Sequence, residues 1–110
     1  MIDPDTYQTL IYDHRSYVGQ GSVKTPQELV MAYGLGLAGE AGEVCDLLKK
    51  RYLHGKKVPN ERIAEELGDE LWYIAILAKL HGYTLSQLFQ MNVDKLRDRH
   101  PEAWKDMNRD

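Results

Sequence analysis

At 110 residues, 43% apolar and 28% charged, the chain is sized for one globular domain spanning 1–110, with a core of its own and something to gain from self-association. A formal net charge of −3 lacks the basic excess that nucleic acid binding calls for, and the longest apolar run, LWYIAILA, falls well short of the roughly 20 residues that span a bilayer. One cysteine, Cys45, excludes an internal disulfide; with an acidic, polar N-terminus unlike a signal peptide it suits a reducing, cytoplasmic setting.

The four prolines fall where helices should begin or end. Asp3-Pro4 reads as an N-cap followed by the first helical residue, opening a helix to about Val18, with GQGS at 19–22 as a connector. Thr25-Pro26-Gln27-Glu28 is a capping box and starts a second helix, which runs to about Tyr52 and stops at His54-Gly55. Asn60, after Pro59, is the expected N-cap of a third helix reaching about His81 and closed by Gly82. Thr84-Leu85-Ser86-Gln87 is another capping box and opens a fourth helix to about Arg99, broken by His100-Pro101. No stretch alternates apolar and polar residues as a strand would, so the fold class is all-α, a four-helix bundle with short connections between its last three helices.

The second helix contains YGLGLAGEAGEV at 33–44, whose four interior glycines together cost roughly 2–4 kcal/mol relative to alanine. Two glutamates sit among them. Glu40 and Glu43 are three apart, on one face, and Glu40 lies between Leu37 and Val44 of an apolar stripe formed by Tyr33, Leu37, Ala41, Val44 and Leu48. The third helix carries Glu66 and Asp69, again three apart, beside a stripe of Ile63, Leu67, Leu71, Ile74 and Leu77, with Glu70 as a rival for an inward position. One acidic pair at helical spacing is ordinarily a solvated face. Two pairs on consecutive antiparallel helices can meet at one level, where four partly desolvated carboxylates call for a divalent cation, and oxygen-only ligands favour Mg²⁺ or Mn²⁺. The glycines would then let helices or a bulky ligand come close to the carboxylates.

The order Glu40-x-x-Glu43, then Glu66-x-x-Asp69 within EELGDELWYIA, then NVDKLRDRHP at 92–101, resembles the MazG-like all-α nucleoside triphosphate pyrophosphohydrolases over roughly residues 35–101. The resemblance implies Mg²⁺-dependent cleavage of a (deoxy)nucleoside triphosphate between its α and β phosphorus atoms, giving monophosphate and pyrophosphate, for nucleotide-pool control or removal of aberrant nucleotides. It carries the metal ligands onto Glu40, Glu43, Glu66 and Asp69, with Glu40 or Glu43 orienting or deprotonating the attacking water. It also favours Asn92 and Lys95 as substrate contacts, and implies association as dimers or tetramers. Lys50 is a further candidate cation, and Trp72 an aromatic that could wall the base, with Tyr73, Tyr33 and His54 as others. Lysines at helix ends are ordinarily dipole partners, and aromatics on an apolar helix ordinarily belong to the core.

Cys45, with Ala41 and Leu48 as helical neighbours, is expected in the core. The chain lacks the Glu-x-x-His pairs that a di-iron bundle needs. Two other readings stay open on sequence alone: a phosphoribosyl-ATP pyrophosphohydrolase, and a non-catalytic helical module that binds nucleotide or metal and oligomerises. Neither nucleic acid nor membrane is an expected partner.

Overall fold

The computed structural model describes residues 1–15 and 25–106 and, over them, consists of four helices and no strand: α1 (Pro4–Asp13), α2 (Pro26–Tyr52), α3 (Asn60–Leu80) and α4 (Leu85–Arg99). The polar side chains that start them act as their residue types require. Asp3 accepts the Thr6 N–H at 2.9 Å, Thr25 accepts the Glu28 N–H at 3.1 Å, and Thr84 forms a complete capping box with Gln87. Gly55 and Gly82 close α2 and α3 with φ of 64° and 85°, the left-handed backbone that glycine adopts without a Cβ penalty.

Two boundaries and one burial differ from the sequence expectations. Helix α1 ends at Asp13 rather than near Val18, because His14 turns out of the helix and its Nδ1 lies 2.8 Å from the Leu10 carbonyl oxygen, a local cap for that end. The expected connector at 19–22 lies outside the described residues. Pro59, not Asn60, is the N-cap of α3, and Asn60 is its first helical residue. The Asn60 side chain is committed elsewhere, since its Oδ1 accepts a hydrogen bond from Arg51 Nη1 across the α2–α3 connection.

Cys45 is exposed rather than in the core. The reason is the seam of α2. Its less exposed positions include Tyr33, Leu37, Glu40, Val44 and Leu47, spaced four and three in turn, so Leu47 rather than Leu48 is buried, and Cys45, one residue past Val44, points off the seam.

Helix α3 is the one on which the other three pack, and among the described residues α2 approaches neither α1 nor α4. Along α3, the half-buried Ile63, Glu66, Glu70, Tyr73, Leu77 and Leu80 repeat the same three-and-four spacing as the α2 seam. Ala75, Ile76 and Ala78 are buried with Leu85 of α4. Gln8 of α1 joins these parts: its Nε2 donates to the carbonyls of Ala75 and Tyr83, both at 3.0 Å, and its Oε1 accepts the Leu85 N–H at 3.0 Å. Asp5 adds a bond from the Ser86 N–H at 2.9 Å. The result is an open arrangement with a radius of gyration of 17.2 Å, against about 13 Å for a compact chain of this length.

Candidate functional site

Because Glu40 occupies the α2 seam and Glu66 the α3 seam, the antiparallel packing of the two helices drives their carboxylates together. Glu40, Glu66 and Asp69 each offer an oxygen such that all three lie within 4.8 Å of one another. Glu40 Oε2 is buried and has no hydrogen-bond partner. The Glu40 carboxyl is held above its ordinary range, first by burial, then by the Asp69 charge, with Glu66 and Glu43 adding to it. Crowded carboxylate oxygens, one of them buried and unpaired, form a donor set that fits a hard divalent cation. No cysteine or histidine belongs to the group.

Glu43 lies exposed, outside that set of three, although its charge reaches Glu40. Glu70 occupies the α3 seam but is likewise not one of the three. Lys50 is engaged by Asp46 at 2.8 Å, and this contact holds the Asp46 carboxyl below its usual range. His54 is exposed.

Asn92 and Lys95 stand on α4, lining an open apolar groove of about 610 Å³ with Leu71, Ile74, Leu88 and Phe89. Helix α4 does not approach α2 within the chain. The structure therefore gathers three of the expected acids into one cluster and places Asn92 and Lys95 on a different helix pair.

The candidate aromatics form one group beside the acids. Trp72 lies edge-on to Tyr73 with ring centroids 4.9 Å apart, and Tyr33 completes the group at 5.9 Å from Trp72 and 6.4 Å from Tyr73. Burial and the charges of Glu40 and Asp69 push the Tyr73 phenol above its ordinary range, which marks it as a neighbour of the acid cluster. Of the glycines in the 33–44 stretch, Gly36 alone meets a packed neighbour: a Cβ built there would lie 2.3 Å from Tyr73 Cε1. Gly34, Gly39 and Gly42 face open space.

The sequence that builds this site matches a known family. A family model described as the MazG nucleotide pyrophosphohydrolase domain matches residues 28–104. The chain belongs to this family. The MazG match takes in α2, α3 and α4, and with them the acids, the aromatics and the α4 cations, while α1 lies before it. The chain is also similar to the Gene 37 protein of Mycobacterium phage L5, 36% identical over 99 residues that cover 86% of each protein. No solved structure matches. Among the described residues no helix is long and apolar enough to cross a membrane.

Proposed function

We propose that this MazG-domain protein hydrolyses a (deoxy)nucleoside triphosphate between its α and β phosphorus atoms, releasing monophosphate and pyrophosphate, with Mg²⁺ or Mn²⁺ held by Glu40, Glu66 and Asp69. The observation that carries the reading is the cluster itself, three carboxylates within 4.8 Å with Glu40 Oε2 buried and unpartnered. When bound, such an ion neutralises triphosphate charge and makes water a stronger nucleophile near neutral pH.

The remaining work falls to the chain's own groups. Glu43 sits one helical turn from Glu40, exposed and outside the three-acid set, so its carboxylate is free to accept the proton of an attacking water. Lys95 and Asn92 offer a cation and an amide to the phosphates, whereas Lys50 is already paired with Asp46. The Tyr33, Trp72 and Tyr73 rings offer an aromatic wall near the acids for a base.

Self-association as a dimer or tetramer belongs to the same proposal. Leu67 at 49% exposure, Phe89 at 50% and Met91 at 53% leave apolar side chains of α3 and α4 open to water in one chain, and such a face favours a partner that covers it. A second copy of the chain is the occupant that would also bring α4 groups toward Glu40 of α2, the helix that α4 does not approach within one chain.

The reaction is tested by ³¹P NMR of the purified protein with Mg²⁺ and a panel of ribo- and deoxynucleoside triphosphates. Monophosphate and pyrophosphate are the expected products, and diphosphate with orthophosphate would move the attack to the terminal phosphorus. Phosphoribosyl-ATP in the same panel separates the proposal from hydrolysis of that substrate alone.

A further inference from the structure

The contact between Gly36 and Tyr73 lies one turn from the acid cluster on both helices at once. Gly36 precedes Glu40 by four residues on α2, and Tyr73 follows Asp69 by four on α3, so in the antiparallel pair the contact sits about 6 Å along the axis from the carboxylates. A Cβ at position 36 would come within 2.3 Å of Tyr73 Cε1, 2.6 Å of Cζ and 2.9 Å of the hydroxyl oxygen. All three distances are well inside van der Waals contact.

The ring is flanked by two other aromatic rings. It stands edge-on to Trp72, at an interplanar angle of 74°, and has Tyr33 of α2 on another side. A side chain at position 36 therefore has to displace this ring from its place between Trp72 and Tyr33 or move α2 away from α3. The latter movement is damaging at this level, because the three acids meet across the same helix pair, Glu40 from α2 and Glu66 and Asp69 from α3.

We infer that Gly36 is a positioning residue: by letting the Tyr73 ring lie directly on the α2 backbone, it sets the α2–α3 separation at which Glu40 meets Glu66 and Asp69. The inference rests on the reading of those acids as a cation site. It also separates Gly36 from its neighbours, since Gly34, Gly39 and Gly42 have nothing within 4 Å of a built Cβ.

The experiment is a Mn²⁺ titration of the full chain, followed by electron paramagnetic resonance of the free ion, with helical circular dichroism recorded on each sample. Gly36→Ala is expected to weaken Mn²⁺ binding by about tenfold to a hundredfold, the range for supporting groups around a metal, while Gly34→Ala stays within about twofold of wild type. Both substitutions gain the same helix propensity, so propensity cannot explain a difference between them. Gly36→Ala combined with Tyr73→Leu removes the obstructing ring and is expected to recover binding to within about threefold.

A folded Gly36→Ala variant that binds Mn²⁺ like wild type overturns the inference and leaves the cation site standing. Wild-type protein that binds no Mn²⁺ removes the cation site and the inference together. Should Gly36→Ala fail to fold, the double variant decides: folding with Mn²⁺ binding is the expected result, and folding without it overturns the inference.

Discussion

Gln8 and Leu85 stand 77 residues apart in the chain, yet the Gln8 side-chain oxygen accepts the Leu85 backbone N–H at 3.0 Å. The same side chain donates to the carbonyls of Ala75 and Tyr83, so all of its hydrogen bonds serve to join α1, the end of α3 and the start of α4. Gln8 is 3% exposed, so a group stripped of its bond there is not readily rescued by water.

Gln8→Ala is therefore expected to destabilise the protein by about 3 kcal/mol, because the Leu85 N–H loses its partner in a buried place and the carbonyls of Ala75 and Tyr83 lose a donor. Gln8→Glu is expected to be at least as damaging, since a carboxylate would face two carbonyl oxygens with nothing to donate. Urea unfolding of both variants measures this, and a midpoint unchanged from wild type in either would show that the three bonds contribute nothing net.

The acid cluster makes metal-free stability depend on pH in a defined direction. The Glu40 carboxyl lies above its ordinary range in the fold, by burial first and then by the Asp69 charge. The folded state thus binds a proton more readily than the unfolded chain, and stability falls as pH rises from the ordinary carboxyl range to the raised value. Thermal melts in a metal chelator across this interval should show a falling midpoint for wild type and a flatter profile for Glu40→Gln. Above the interval the variant is expected to melt higher than metal-free wild type. Adding Mg²⁺ at about a hundred times its dissociation constant should stabilise wild type by about 2.7 kcal/mol, and the variant by much less.

Lysines at two sites should respond differently to loss of charge. Lys95 has no ion-pair partner among the described residues, whereas Lys50 is paired with Asp46 at 2.8 Å. A charged hydrogen bond to a phosphate, worth about 1.5–3 kcal/mol, corresponds to roughly a tenfold to hundredfold loss of kcat/KM for Lys95→Met. Lys50→Met should lose less than about threefold. Steady-state kinetics compares the two, and equal losses would undo the assignment of Lys95 to the substrate.

The open groove of α3 and α4 gives a further expectation. Phe89→Asp places a charge among Leu71, Ile74 and Leu88, where a second copy is proposed to pack. Light scattering coupled to size exclusion should find wild type as a dimer or tetramer and the variant as monomer, or weakened in proportion to dilution. A wild-type monomer at micromolar concentration would contradict self-association.

Much of this architecture was legible in the sequence because helix ends are written in local chemistry. Asp3, Thr25 and Thr84 announce three starts, and Gly55 and Gly82 two ends, through bonds that span only a few residues. Asn60 misled for the opposite reason: its side chain is claimed by Arg51, nine residues earlier in the chain. Of the acids, Glu40, Glu66 and Asp69 were legible from their spacing against apolar stripes.

The exact seam was not, because a stripe of Ala41 and Leu48 and a seam of Glu40 and Leu47 differ by less than a third of a turn, and only the partner helix decides between them. The exposure of Cys45 follows from that shift. Leu67 and Leu71 read as core residues and are exposed in the single chain, since an apolar stripe on one helix does not say whether another helix of the chain lies against it. Gln8 and the contact of Gly36 with Tyr73 depend on pairs of positions remote in sequence, and periodicity along one helix carries no trace of them.

We propose that the acid cluster around Glu40 drives attack at the α-phosphorus. Turnover of the preferred triphosphate in H₂¹⁸O with Mg²⁺, read by mass spectrometry of both products, tests it most directly when wild type and Glu40→Gln are run side by side. Wild type is expected to place ¹⁸O in the monophosphate and none in the pyrophosphate, and Glu40→Gln, with its helical circular dichroism intact, to give no product. Label in the pyrophosphate, or undiminished turnover by Glu40→Gln, would contradict it.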